Sequence, residues 1–108
     1  MTYRTEQPTS EDIAALEGPV VLDFGTNWCS ICQAAHDDIR QGLGDPGDTG
    51  VPHLKVEDGR GRPLGRSFRV KLWPTLVFLR DGAEVARVVR PGSSDEVARA
   101  LATLLHEG

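Results

Sequence analysis

The chain has 108 residues, enough for one compact domain that buries roughly two-thirds of its unfolded surface. Its composition, 39% hydrophobic and 26% charged, is ordinary for a globular protein, and its formal net charge of −4 argues against nucleic acid as a partner. No apolar stretch approaches the roughly 18–20 residues of a membrane span, and the first residues lack the apolar core of a signal peptide. We therefore expect a single cytoplasmic domain over residues 1–108, without a membrane partner.

The first quarter of the chain predicts a helix followed by a buried strand. Residues 1–8 are polar and are expected to add a short edge strand or to stay loose. Thr9 or Ser10 can cap a first helix, which Gly18-Pro19 ends. The run Val20–Phe24 is β-branched and almost continuously apolar, which is typical of a strand buried on both faces.

The middle of the chain predicts a longer helix, a turn and a second strand. Apolar residues recur every four positions from about Cys29 to Leu43, and Gly42 and Gly44 are expected to loosen the end of this helix. Asp45–Gly50 is a turn cluster, and Val51–Glu57 predicts a strand. A Gly/Pro-rich loop follows, with a short helical turn near Leu64–Phe68.

The last part predicts a hairpin and a helix. Thr75–Leu79 is an apolar strand, Asp81-Gly82 a turn, and Glu84–Arg90 an alternating strand. Ser93 or Ser94 caps a final helix, whose inward side is expected to carry Val97, Leu101, Leu104 and Leu105.

The order of these elements predicts an α/β fold. Because helices separate the first strands, we expect parallel pairing with right-handed crossovers there, and an antiparallel hairpin at the end. The expected architecture is a mixed central β-sheet flanked by helices on both faces.

The only two cysteines, Cys29 and Cys32, lie three positions apart at the start of the second predicted helix. Side chains so spaced lie about 5–6 Å apart at Cβ, so a small adjustment allows a disulfide. Amide groups and the macrodipole at a helix N-terminus favour a thiolate, the form that attacks disulfides.

The alternatives are structural thiols or half of a metal site. Zinc needs two more ligands. Only His36 lies nearby, and His53 and His106 have no suggestive spacing, so we predict no metal site.

Asp23 lies inside the apolar run before the cysteines. A charge is costly to bury among apolar side chains, so we expect burial to favour the protonated form of this acid. The alternative is an aspartate at an exposed end of the strand.

Three motifs in this order resemble the thioredoxin family. They are Val20–Phe24, then Trp28-Cys29-Ser30-Ile31-Cys32, and then an apolar residue with Pro74 and Thr75 before a strand, Asp-Gly and a second strand. The resemblance covers about Thr9 to Leu105. It implies a thioredoxin-like fold and a redox-active Cys29–Cys32 disulfide, with no other cofactor.

The resemblance also implies roles for the catalytic residues. Cys29 would attack a substrate disulfide, and Cys32 would then resolve the mixed disulfide. Asp23 would lie beneath Cys32 and assist its deprotonation. Lys55, by looser analogy, would neighbour Asp23, and His36 is a possible tuning residue on the second helix.

Six residues are predicted to bind substrate: Trp28, Ser30, Ile31, Trp73, Pro74 and Gly92. Pro74 matches the cis-proline that faces the cysteines in the family. Trp73 before it would offer backbone groups to an extended substrate segment, or would simply be a core residue. Trp28 matches a tryptophan that shields the site, and Gly92 a glycine whose loop completes the groove.

The sequence departs from the family at three places. Ser30-Ile31 replaces the usual Gly-Pro, Asp37 stands where a helix-kinking proline is common, and Trp73 replaces a small aliphatic residue.

We expect a monomeric thiol–disulfide oxidoreductase that reduces protein disulfides and receives electrons from a reductase or another thiol donor. The alternatives are a dedicated disulfide oxidant or isomerase, and a partner-binding module with little redox turnover.

Overall fold

The computed structural model describes residues 3–106. The helices in this range are α1 (Ser10–Ala14), α2 (Ser30–Leu43), α3 (Pro46–Thr49), α4 (Pro63–Ser67) and α5 (Ser94–His106). The strands are β1 (Pro19–Gly25), β2 (His53–Glu57), β3 (Thr75–Arg80) and β4 (Ala83–Val89). Within the described residues, every helix is too short or too polar to cross a membrane.

The four strands form one mixed sheet in the order β2-β1-β3-β4. β1 and β2 are parallel, as predicted, and β3 and β4 form the predicted antiparallel hairpin. The expectation of parallel pairing is wrong for β3, which runs antiparallel to β1. The helix between β2 and β3 has five residues and is only about 7.5 Å long. It is too short to return the chain along a strand of roughly 20 Å, so β3 starts where β2 ends.

This antiparallel pairing decides what lies at the end of β1. Phe24, near the C-terminal end of β1, pairs with Thr75, the first residue of β3. Pro74 therefore lies beside the loop that leads from β1 into α2. Val89, at the end of β4, pairs with Thr75 as well, which brings the β4–α5 loop to the same edge.

Helices cover both faces of the sheet, as predicted. On one face, α2 and α5 pack on the sheet through Ile39, Leu43, Val97, Leu104, Val21 and Phe78. On the other face, α1 and α4 pack through Ile13, Leu64, Leu22, Phe24, Val77 and Leu79. β1 and β3 are buried on both sides, which explains their continuous apolar runs.

Gly44, with a φ of 71°, is the C-cap residue directly after α2, as expected for the helix end, whereas Gly42 lies within the helix. A Cβ at this position would lie 2.5 Å from Val97 Cβ and 2.6 Å from the main-chain oxygen of Ser94, both in α5. The glycine is therefore needed for the close approach of the two helices.

The helix ends agree with those predicted from the sequence, with two differences. Thr9 caps α1 in a capping box with Asp12, and the Ser93 hydroxyl accepts a hydrogen bond from the Glu96 N–H at the start of α5. The predicted turn Asp45–Gly50 contains the short helix α3. Leu105, predicted to face inward, is 44% exposed, because Leu101 and Leu104 already occupy the core-facing side of this last turn.

The N-terminal segment lies along the outer side of β2. Arg4 forms a single parallel bridge to Val56, and its N–H donates a 2.9 Å hydrogen bond to the carbonyl of Lys55. This is the edge pairing that we expected from residues 1–8, reduced to one bridge in the part that is described. It holds the neighbouring Tyr3 against the end of β1.

Candidate active site

Cys29 and Cys32 lie at the N-terminus of α2, and both are free thiols. Cys29 is the N-cap residue, and its Sγ accepts a 3.2 Å hydrogen bond from the Cys32 N–H. An N-cap side chain ordinarily supplies an oxygen for this bond, so the sulfur satisfies one of the free amide groups at the helix start. The helix thus directs its positive end at the Cys29 sulfur.

The two thiols differ in their surroundings. Cys29 is 9% exposed and follows Trp28, which is 73% exposed, whereas Cys32 is 2% exposed. Burial, followed by the hydrogen bond with Cys29, raises the pKa of the Cys32 thiol to about 11. Cys32 therefore holds its proton at neutral pH, and a reaction that uses its thiolate needs a nearby acceptor for that proton.

Asp23 lies on β1 beneath the cysteines and is fully buried. Its interior position rules out the alternative of an exposed strand end. Oδ1 accepts a 2.8 Å hydrogen bond from the Tyr3 hydroxyl. Oδ2 lies 2.9 Å from His53 Nε2 and 3.8 Å from Lys55 Nζ. The carboxyl group is thus contacted by two potential cations on one oxygen and by a phenol on the other.

Lys55 and His53 reach Asp23 because of the β1–β2 register. Asp23 pairs directly with Lys55, and His53 lies two positions earlier on the same face of β2. Sequence reasoning predicted the neighbourhood of Lys55 and missed His53, which we had considered only as a metal ligand. Within residues 3–106, no three His, Cys, Asp or Glu side chains are grouped as a metal ion would require.

Tyr3 is the second residue that sequence reasoning missed. A Cβ added to Gly25 would lie 2.7 Å from Cys32 Sγ and 2.7 Å from the Tyr3 hydroxyl oxygen, so this glycine makes room for both groups. Burial and the Asp23 carboxylate hold the pKa of Tyr3 far above its ordinary range, so the hydroxyl keeps its proton. Lys55 Nζ lies 4.3 Å from the centre of the Tyr3 ring.

His36 lies one turn after Cys32 on α2. Its Nδ1 is 3.4 Å from Lys55 Nζ. Burial and the charge of Lys55 lower the pKa of His36, so the ring is neutral at neutral pH and Nδ1 can accept a hydrogen bond from the Lys55 ammonium group. The predicted tuning residues, Lys55 and His36, are therefore in contact with each other.

Trp73 lies against the cysteines, with Pro74 next to it in the chain. The peptide bond between them is cis, Pro74 is buried, and Trp73 packs against the cluster of Tyr3, Cys29 and Cys32. The rings of Trp73 and Trp28 meet edge to face, with centroids 5.7 Å apart. Trp73 is thus a partly buried residue at the edge of the site rather than a residue of the interior core.

Two polar contacts hold Trp73 in place. Its Nε1–H donates a 2.8 Å hydrogen bond to Asp58 Oδ2. Its main-chain carbonyl accepts a 2.9 Å hydrogen bond from Arg90 Nε. The carbonyl of the residue before Pro74 is thus already engaged by a side chain of this chain.

The surface near the cysteines is apolar and accessible. Ser30 and Gly92 are exposed, and the Gly92 N–H donates a 3.2 Å hydrogen bond to Glu96 Oε2. Four large apolar side chains nearby in the chain or in the sheet are also exposed: Trp28, Ile31, Leu72 and Val89. Such a surface suits an extended, partly apolar segment of a partner protein.

Comparison with known proteins agrees with this geometry. A family model described as Thioredoxin matches residues 2–103. The thioredoxin of Mycolicibacterium smegmatis is 28% identical over 102 residues, covering 94% of this chain and 91% of that protein. Thioredoxin H2-1 of Oryza sativa subsp. japonica is 34% identical over 85 residues, 79% of this chain and 59% of that protein. The structure of thioredoxin 2 from Pseudomonas aeruginosa PAO1 in its reduced form is 52% identical, with a TM-score of 0.85 over 100% of this chain and 98% of that one.

Proposed function

The chain belongs to the thioredoxin family, and from this premise we propose that it reduces protein disulfides through Cys29 and Cys32. It is a thiol–disulfide oxidoreductase with two cysteines in a Cys-x-x-Cys arrangement. Family membership favours this activity over a partner-binding module with little turnover. The reducing direction and the roles of individual residues are our proposal.

The observation that carries the proposal is the unequal placement of the two thiols. Cys29 lies at the positive end of α2 beside the exposed Trp28, where a substrate disulfide can reach it. Cys32 lies one turn inward and holds its proton at neutral pH, which suits a thiol that acts second. A first nucleophile nearer to the surface, followed by a more deeply buried second one, is the order that disulfide reduction requires.

The proposed reaction has two exchange steps. The Cys29 thiolate attacks one sulfur of the substrate disulfide, and the other sulfur leaves as a thiolate that takes a proton from water. The Cys32 thiolate then attacks Cys29 Sγ, which releases the second substrate thiol and leaves a Cys29–Cys32 disulfide. Two electrons pass to the substrate, and a reductase or another thiol donor returns two electrons to the protein.

The other predicted residues complete this proposal. Asp23 accepts the proton of Cys32 before the second step, and Lys55 and His36 tune its surroundings. An extended substrate segment lies on the surface around Cys29, which is made of the predicted binding residues: Trp28, Ser30, Ile31, Trp73, Pro74 and Gly92. We propose that the protein works as a cytoplasmic monomer, which size-exclusion chromatography and cell fractionation would test.

Reduction of insulin disulfides by dithiothreitol tests the activity. The parent protein should accelerate the reaction, and Cys29→Ser should abolish the acceleration. Cys32→Ser is the matched variant, because it retains the attacking thiol and should accumulate a mixed disulfide through Cys29. A Cys29→Ser protein as active as the parent would refute the proposal. A redox titration against glutathione tests the direction, and a strongly oxidising potential would contradict a reductase.

A further inference from the structure

Tyr3 joins the buried acid to the buried cysteine. Its hydroxyl donates a 2.8 Å hydrogen bond to Asp23 Oδ1. The same hydroxyl oxygen and Cys32 Sγ both lie 2.7 Å from the point where Gly25 would carry a Cβ. Tyr3, Cys29 and Cys32 form one buried cluster. The phenol hydroxyl is thus bonded to the proton acceptor of the proposed second step and lies close to its proton donor.

We infer that Tyr3 is a proton-relay residue, which transfers the proton of Cys32 to Asp23 when Cys32 becomes the nucleophile. This inference rests on the proposed function, since it concerns the release of the mixed disulfide. It assigns a step to the N-terminal segment, which lies outside the motifs that carry the family resemblance.

The relay conserves every proton. Before the step, the Cys32 S–H points to the Tyr3 oxygen, and the Tyr3 O–H points to the Asp23 carboxylate. The Tyr3 proton passes to Asp23 Oδ1 as the Cys32 proton passes to the Tyr3 oxygen. Afterwards Asp23 is a neutral acid, and the new Tyr3 O–H donates to the Cys32 thiolate. The thiolate then attacks Cys29 Sγ, and the substrate sulfur leaves with the electron pair of the broken S–S bond.

The energetics of the site agree with such a transfer. Tyr3 never has to exist as a phenolate, because it gains one proton as it loses the other. Once the new Tyr3 O–H donates to the Cys32 thiolate, this hydrogen bond lowers the pKa of Cys32 and so opposes the effect of burial. The Lys55 ammonium over the ring and beside Asp23 stabilises negative charge on this set of groups before and after the transfer.

The proton on Asp23 has a way back to Cys32. Oδ1 holds it within the hydrogen bond to Tyr3, while Oδ2 keeps its contact with His53, whose side chain is 8% exposed. When a thiol donor later reduces the Cys29–Cys32 disulfide, Cys32 leaves as a thiolate and takes the Tyr3 proton, and Tyr3 recovers a proton from Asp23 Oδ1. The relay is therefore reset along the same path by which it acted.

A two-phase exchange reaction tests the inference. Reduced protein is mixed with a symmetric chromogenic aryl disulfide (dithiobis-nitrobenzoate), which releases one coloured thiolate when Cys29 attacks and a second when Cys32 resolves the adduct. Tyr3→Phe keeps the ring and removes the hydroxyl. We expect its first phase to match that of the parent and its second phase to be slower by about tenfold, at the low end of general acid–base effects.

A matched control and a double variant separate a relay from a packing effect. Thr26→Val removes a buried hydroxyl that has no hydrogen-bond partner within residues 3–106, and its second phase should stay near the parent rate. Asp23→Asn should slow the second phase. Adding Tyr3→Phe to it should slow this phase no further, because both changes break the same proton path from Cys32 to Asp23.

The outcomes are distinguishable. A second phase of Tyr3→Phe as fast as the parent's, or fully additive effects of the two substitutions, would overturn the relay and leave the proposed function intact. Loss of the first phase in the parent protein would instead refute the proposed function. A second phase that slows equally in Thr26→Val would assign the effect of Tyr3→Phe to packing and overturn the relay.

Discussion

His53 Nε2 lies 2.9 Å from Asp23 Oδ2, and both side chains are buried. Removing the imidazole leaves this oxygen with Lys55 Nζ, 3.8 Å away, as its nearest recorded partner. His53→Leu should therefore lower the free energy of unfolding by about 1–3 kcal/mol, the usual cost of a buried group that loses its hydrogen-bond partner. Urea unfolding of the reduced protein measures the change.

The chain offers a matched control for this substitution. His106 is exposed at the end of α5, and His106→Leu makes the same chemical change outside the site. We expect it to change the stability by less than about 0.5 kcal/mol. Equal effects of the two substitutions would show that the His53–Asp23 contact contributes nothing.

A second prediction concerns alkaline pH. Burial first, and then hydrogen bonding, raises the pKa of Cys32 from 9.0 to about 11, and burial also raises the pKa of Tyr3 above its ordinary value of 10.0. The folded state thus favours the neutral form of both groups. Their contribution to stability is fully present below pH 9.0 and is lost as the pH rises through the folded-state values.

The free energy of unfolding of the reduced protein should therefore fall between pH 9.0 and about 11. Urea unfolding at several pH values measures it. The oxidised protein is the control, because a Cys29–Cys32 disulfide has no thiol to titrate, and its decrease should be smaller. Tyr3→Phe should reduce the decrease further. A reduced and an oxidised protein with the same alkaline profile would contradict the prediction.

Local patterns explain why much of the site could be predicted from sequence. The position of Cys29 and Cys32 at a helix start depends only on residues around them, and an acid within an apolar run must be buried if the run is a strand. Asp23 is indeed fully buried. These interpretations need the period of one element and no knowledge of how the elements pair.

Tyr3 and His53 could not be placed in this way. They contact Asp23 across 20 and 30 residues of sequence, and the contacts depend on the register between β1 and β2. A shift of one residue would have turned His53 to the other face of the sheet. The remaining signals were weak: the chain's single tyrosine in a polar segment, and His53 in alternation with Lys55.

The direction of β3 shows a different limit. Element order alone favoured parallel pairing, but the short α4 could not supply the crossover. The antiparallel direction is also what places Pro74 beside the β1–α2 loop that leads to the cysteines, since the first residue of β3 pairs near the last residue of β1. The position predicted for Pro74 from family resemblance was thus inconsistent with the parallel pairing predicted from element order.

For a substitution of Gly42, the sign of the change in the free energy of unfolding is informative. Replacing a glycine inside a helix by alanine ordinarily stabilises the helix by about 1 kcal/mol. Here the new Cβ would lie 2.5 Å from Val97 Cβ, and α5 would have to move. Gly42→Ala should therefore destabilise the protein by about 1–3 kcal/mol, the range for an overpacked core. Urea unfolding decides, and a stabilised variant would show that α5 shifts without cost.

The last prediction concerns the carbonyl of Trp73. Arg90 Nε donates a 2.9 Å hydrogen bond to this oxygen, which lies directly before Pro74. An extended substrate that uses the backbone of Trp73, as we propose, competes with Arg90 for this oxygen. Removing a competing hydrogen bond of about 0.5–1.5 kcal/mol should then tighten binding. Arg90→Ala should lower the KM for insulin in the disulfide-reduction assay by about two- to tenfold, with kcat unchanged.

Two controls make this prediction specific. Arg66→Ala removes the same charge from an exposed position on α4 and should leave the KM unchanged. A small aryl disulfide does not extend along the backbone of Trp73, so its exchange rate with Cys29 should be the same in Arg90→Ala and in the parent. A KM that rises in Arg90→Ala would mean that the guanidinium binds the substrate directly, for instance through a carboxylate. The carbonyl of Trp73 would then stay bound to Arg90 during turnover, and the substrate would have to be held by the apolar surface around Trp28.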